Sequence, residues 1–85
     1  MTLSVSPNPA MTNSIIQLQL HLPQASEVVL ALFDTQGRVI RTEKHDLEAN
    51  LQTLEMTIND LPANAYFLKV TANGESVYQQ LLITK

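Results

Sequence analysis

Residues 65–84 read Ala65-Tyr66-Phe67-Leu68-Lys69-Val70-Thr71-Ala72-Asn73-Gly74-Glu75-Ser76-Val77-Tyr78-Gln79-Gln80-Leu81-Leu82-Ile83-Thr84. From Ala65 to Thr71 the side chains alternate. Tyr66, Leu68 and Val70 face one way, and Phe67, Lys69 and Thr71 the other. Asn73-Gly74 follows, and both residues tolerate the positive φ of a two-residue type I′ turn. Ser76 to Thr84 is then the return strand. This stretch is an antiparallel hairpin, and it sets the fold class for what precedes it.

Working toward the N-terminus, Asn59 to Asn64 is a loop around Leu61-Pro62. Residues 47–58 carry two patterns. Leu47, Leu51, Leu54 and Ile58 have helical spacing, whereas Leu54, Met56 and Ile58 alternate with Glu55 and Thr57 as in a strand. The β-branched Thr53, Thr57 and Ile58 favour a strand over 52–58. Arg38 to Glu43 reads as a strand returning from the turn Asp34-Thr35-Gln36-Gly37, which has Asp first and Gly last as type I turns prefer. The run Glu27 to Phe33 is apolar enough for burial on both faces. Ile16, Leu18, Leu20 and Leu22 alternate with Gln17, Gln19 and His21, a strand with one buried face that Pro23 ends. Ser6-Pro7-Asn8-Pro9-Ala10 is extended and turn-rich, and Leu3 to Val5 adds one more short strand. Short strands with turn signals roughly every 8–12 residues predict an all-β protein, an immunoglobulin-like antiparallel β-sandwich of about seven strands.

The 85 residues suffice for a single domain, 1–85. Hydrophobic residues make up 45% of the chain, too many for a disordered tail. Five Lys and Arg against eight Asp and Glu give a net charge of −3, which speaks against a phosphate-neutralising nucleic-acid surface. The absence of Cys excludes disulfides and thiolate chemistry. No apolar run approaches the ~20 residues of a membrane span, so membrane insertion is not expected. Met1 to Val5 lacks the basic and apolar regions of a signal peptide.

No catalytic constellation is legible, and the chain is expected not to be an enzyme. His21 lies on the polar face of a strand and His45 in a connecting segment, with no spacing that suits a metal. No Ser sits in a G-x-S-x-G elbow, and no acidic cluster has the spacing of a Ca²⁺ loop. Arg38, Arg41 and Lys44 are diluted by Asp34, Glu43 and Asp46 and read as a solvated face. Asp34 and Asp60 read as turn residues. Tyr66, shortly after Leu61-Pro62, suits a tyrosine corner, its hydroxyl bonded to nearby backbone. No cofactor and no metal are expected.

Four segments together resemble a known family, the C-terminal sorting domains of type IX secretion, also called the Por secretion system. Ser6-Pro7-Asn8-Pro9-Ala10 is similar to the family's opening x-P-N-P-A. Leu32 to Ile40 resembles its hairpin Y/F-D-x-x-G-R-x-V. Leu61 to Val70 resembles L-P-A-G-x-Y-F-L-K-V, with Asn64 in place of the usual Gly. Gly74 and Gln80 to Lys85 resemble its close, with Gln79-Gln80 where the family has a Lys pair. Asn is the next best residue for a left-handed conformation, so the turn at Asn64 is expected to survive.

The resemblance implies a non-catalytic address label cut from a longer secreted protein. It directs the attached cargo through the periplasm and the outer-membrane translocon to the cell surface or the medium. Its implied partners are the type IX translocon, a shuttle protein and sortase components. The implied recognition residues are Pro7, Asn8, Pro9, Gly37, Arg38, Tyr66, Gly74, Leu81, Leu82, Ile83 and Lys85. The last strand, Val77 to Thr84, is expected at a sheet edge, open to β-augmentation and, in the isolated domain, to dimers by strand exchange. Deleting Leu81 to Lys85 is expected to abolish recognition while leaving much of the sandwich folded. The alternatives are a structural immunoglobulin-like module of a surface protein or adhesin, and a small carbohydrate-binding module using Phe67 and Tyr78.

Overall fold

The computed structural model describes every residue, Met1–Lys85. Its eight strands are β1 (Thr2–Ser6), β2 (Ala10–Met11), β3 (Ile15–Leu22), β4 (Ser26–Phe33), β5 (Val39–Leu47), β6 (Asn50–Thr57), β7 (Asn64–Ala72) and β8 (Glu75–Thr84), and there is no helix. They form two sheets, ordered β1-β3-β6 and β2-β8-β7-β4-β5. The all-β, immunoglobulin-like sandwich is therefore present, with eight strands rather than about seven. The extra strand is β2. It pairs parallel with β8, Ala10 opposite Ile83 and Met11 opposite Thr84, while every other pairing is antiparallel.

The opening segment is thus divided between the sheets. β1 pairs with β3, and β2 pairs with β8. Pro7 and Pro9, each after a cis peptide bond, lie at the crossing. Neither proline has an N–H to give to a ladder, so a crossing is where they fit.

Alternation fixes the core. Ile16, Leu18, Leu20 and Leu22 of β3 lie across from Val28, Leu30 and Leu32 of β4, Leu68 and Val70 of β7, and Leu81 and Ile83 of β8. All are buried, as expected for the inner faces of two packed sheets. No polar side chain is buried.

Several sequence expectations need correction. β4 is buried on one face only: Val29, Ala31 and Phe33 are half-buried, because no layer covers the outer face of the five-stranded sheet. β5 continues past Glu43 to Leu47, so His45 lies within a strand, half-buried, its Nε2 3.1 Å from Glu43 Oε1. Residues 50–57 are strand, paired with β3 from Ile15↔Thr57 to Leu22↔Asn50. That register buries Met56 and leaves Leu51 exposed, so the helical spacing through Leu51 was fortuitous. Asn64 does not adopt positive φ. It begins β7, and its Oδ1 accepts a 2.8 Å bond from the Ala65 N–H.

A recognition surface built from turns and a clamped edge

Three local devices shape the surface. The first is the β4–β5 turn. Asp34 Oδ1 accepts from the backbone N–H groups of Gln36 (2.9 Å) and Arg38 (3.0 Å), and Oδ2 accepts from Arg38 Nε at 2.7 Å. The Gly37 N–H reaches the Asp34 carbonyl at 3.1 Å, with Gly37 at φ +83°. The backbone bond from Arg38 leads the effects that hold the Asp34 carboxyl below its usual value, opposed by partial desolvation and helped by the Arg38 side chain and the Gln36 N–H. One short side chain fixes the turn, and the outer nitrogens of Arg38 face solvent.

The second device is the tyrosine corner. Tyr66 is 3% exposed, and its hydroxyl donates to the Pro62 carbonyl at 2.7 Å. Burial, reinforced by the charges of Asp34 and Asp60, pushes its phenol up from the ordinary value, so it stays a donor.

The third device covers half of the last strand. Asn8 Nδ2 donates to the Gln80 carbonyl at 2.8 Å, and Asn8 Oδ1 accepts from the Leu82 N–H at 3.1 Å. A side-chain amide here does what a neighbouring strand's peptide would do. Beyond it, β2 pairs with residues 83–84, the Thr12 N–H reaches the Thr84 carbonyl at 2.7 Å, and Thr84 Oγ1 donates to the Ala10 carbonyl at 3.3 Å. On that side the last strand therefore has no ladder partner only from Ser76 to about Gln80; β1 of the other sheet packs near β8, and the Met1 ammonium lies 3.0 Å from Glu75 Oε1. The expectation of an open edge through Thr84 is corrected, because residues 8–12 occupy its C-terminal half.

A family model for secretion system C-terminal sorting domains matches residues 4–84. The chain belongs to that family. Its sorting domains are signals for type IX secretion, so this one serves export to the cell surface or extracellular space through interaction with that system. No curated protein matches the chain.

The structure divides the sorting domain's expected recognition residues into two groups. Pro7, Asn8, Pro9, Gly37, Arg38, Gly74, Leu82 and Lys85 are exposed. Tyr66, Leu81 and Ile83 are buried, the last two at 0% and 1% exposure. Pro7, Asn8, Pro9, Leu82 and Lys85 share one edge, where Asn8 meets Leu82. Gly37 and Arg38 lie at the β4–β5 turn, and Gly74 lies at the β7–β8 turn.

Arg41 does not lie on a solvated face. Its guanidinium is mostly covered and bonds the Thr57 carbonyl at 2.6 Å and Asp60 Oδ1 at 2.8 Å. It thereby ties β5 of one sheet to the end of β6 in the other. Sequence reasoning missed this tie and the Asn8 clamp, because the partners lie far apart in the chain and no local pattern links them.

On the outer face of the five-stranded sheet, Phe33 and Phe67 are cross-strand neighbours. With Tyr78, Asp34, Thr35 and Gly37 they line a shallow, open cleft of about 410 Å³. Lys69 Nζ stands 5.7 Å from the centre of the Tyr78 ring. No group of three or more His, Asp or Glu side chains is placed to hold a metal ion. No helix is long and apolar enough to cross a membrane.

Proposed function

We propose that residues 1–85 are the sorting tail of a longer exported protein and that the domain is a docking label with no catalysis, cofactor or nucleic-acid partner of its own. The cargo passes through the periplasm. The translocon, a shuttle protein and sortase components then read the folded tail. The single observation that carries this reading is the family match over residues 4–84, nearly the whole chain.

The exposed residues Pro7, Asn8, Pro9, Leu82 and Lys85 are proposed to touch the machinery, with Gly37, Arg38 and Gly74 presenting the turns. Tyr66, Leu81 and Ile83 act through the fold, since a buried side chain offers no surface to a partner. Strand exchange between isolated copies would have to displace residues 8–12 from β8.

The test is transport. Residues 2–85 are fused behind a fluorescent reporter that carries an N-terminal export signal. Reporter should reach the surface or medium of a strain with type IX secretion and stay periplasmic in a translocon-null strain. Retention in both strains, with the domain shown to be folded, would favour the structural-module alternative. Surface variants such as Leu82→Asp and Lys85→Glu then probe recognition without opening the core.

A further inference from the structure

The chain has two Phe, two Tyr and no Trp. Three of these four rings, Phe33, Phe67 and Tyr78, line one cleft on the outer face of the five-stranded sheet. The fourth, Tyr66, is buried and makes the corner bond. Phe67 and Tyr78 are 41% and 64% accessible. Aromatic rings ordinarily carry the energetics of cores and interfaces, so a cluster of them left in water marks a surface that meets a ligand. The fold gives no other use for it, because no element covers this face.

The register fixes the layout. Phe33 on β4 is directly opposite Phe67 on β7, and Tyr78 on β8 is opposite Lys69, one step diagonal from Phe67. The rings therefore cross three adjacent strands, about 10 Å at the usual strand spacing. The turn from Asp34 to Gly37 bounds the cleft at the β4 end. β4 and β7 are inner strands, each paired on both sides. The floor thus has no free backbone row for an extended peptide to pair with. What remains is the ring faces and the polar groups of the turn: the Asp34 carboxylate, the Thr35 hydroxyl and the outer nitrogens of Arg38. Asp34 and Arg38 neutralise each other at 2.7 Å, so this rim offers hydrogen bonds without net charge. Lys69 Nζ lies 5.7 Å from the centre of the Tyr78 ring but is not part of the lining.

We propose that this cleft binds an uncharged oligosaccharide of equatorially substituted pyranose rings, two rings long at the point of contact. Equatorial hydroxyls leave the axial C–H groups alone on the sugar's faces. Those groups are slightly positive and lie against the negative faces of aromatic rings. The hydroxyls around the sugar's edge then meet Asp34, Thr35 and Arg38, an acceptor, a hydroxyl that does both, and a donor. The volume of about 410 Å³ is that of a small-ligand site with aromatic walls and a few polar groups. Its open ends suit a segment of a longer glycan. A neutral rim matches a neutral ligand. The proposal stands apart from the sorting reading and gives the folded domain a second role.

The test is a titration of the isotope-labelled 85-residue chain with cellotetraose, followed by amide NMR. Shifts should concentrate at residues 33–37, 67 and 78 and saturate with a dissociation constant of about 1 mM or tighter. Phe67→Ala and Tyr78→Ala should each weaken binding about tenfold or more, through loss of one stacked ring. Leu51→Ala removes an exposed apolar side chain from the other sheet and should leave binding unchanged. Where an alanine variant loses the native spectrum, Phe67→Leu decides, because it stays apolar and gives up only the ring. Absence of a saturable shift, shifts spread away from the cleft, equal loss with Leu51→Ala, or full binding by Phe67→Leu overturns the proposal. A decaproline peptide that shifts these amides where cellotetraose does not also overturns it, and assigns the cleft to a peptide.

Discussion

Asn8 illustrates how a residue in a recognition motif can serve the fold first. The sequence P-N-P-A reads as a turn-rich opening, and nothing local says that its Asn will bond residues 80 and 82. Ala10 beneath it is fully buried, which explains the small side chain that follows the second proline. Asn8→Ala should cost about 1–2 kcal/mol, from two lost hydrogen bonds at roughly 0.5–1.5 kcal/mol each. The Leu82 amide should exchange faster with deuterium. Unchanged exchange there would show that the clamp does not hold in solution. Asp34 was legible, since Asp ahead of Gly is a turn signal. Its carboxyl titrates below the ordinary value in the folded chain. The stabilisation this gives is present above the unfolded-state value, close to 3.8, and is lost as pH falls through the lower folded value. Asp34→Asn should therefore melt lower than the parent at pH 5–7, with the gap shrinking below about pH 4. A gap that does not change with pH would mean that charge plays no part.

At the scale of elements, strands with one buried face were the most readable. β3 and β7 alternate cleanly, and the inner residues of both are the core. Residues 47–58 were less readable, because a leucine that ends up exposed, Leu51, completed a helical pattern. β2 could not be read at all. Two residues hold no periodicity, and their parallel pairing depends on a strand more than seventy residues away in sequence. Turns held up where glycine was demanded. Gly37 has φ +83°, and a Cβ added there meets no atom within 4 Å. Gly37→Val should then destabilise through backbone strain alone, by about 1–3 kcal/mol, and Gly37→Asn by less. Equal melting temperatures for Gly37→Val and the parent would remove strain from the account of this turn.

For the whole molecule, a chain of 85 residues carries roughly 4–13 kcal/mol of stability. Its largest fully buried side chains include Leu81 and Ile83. Replacing one such residue by Ala costs about 2–5 kcal/mol. Deleting Leu81 to Lys85 removes both, along with the partners of β2 and Asn8. The truncated chain should show no cooperative thermal transition by circular dichroism. This revises the expectation that much of the sandwich would survive the deletion, and it makes loss of transport by such a truncation ambiguous between misfolding and lost contact. A sigmoidal melt near that of the parent would restore the earlier view. The same join between residue 8 and residues 80–82 bears on protein synthesis. β7 has no neighbour on that side, and Asn8 no strand to close, until residues 75–84 have left the ribosome. Partly made copies of the domain therefore lack both the clamp and the strand it holds, and the sandwich closes only when the two ends of its own sequence meet.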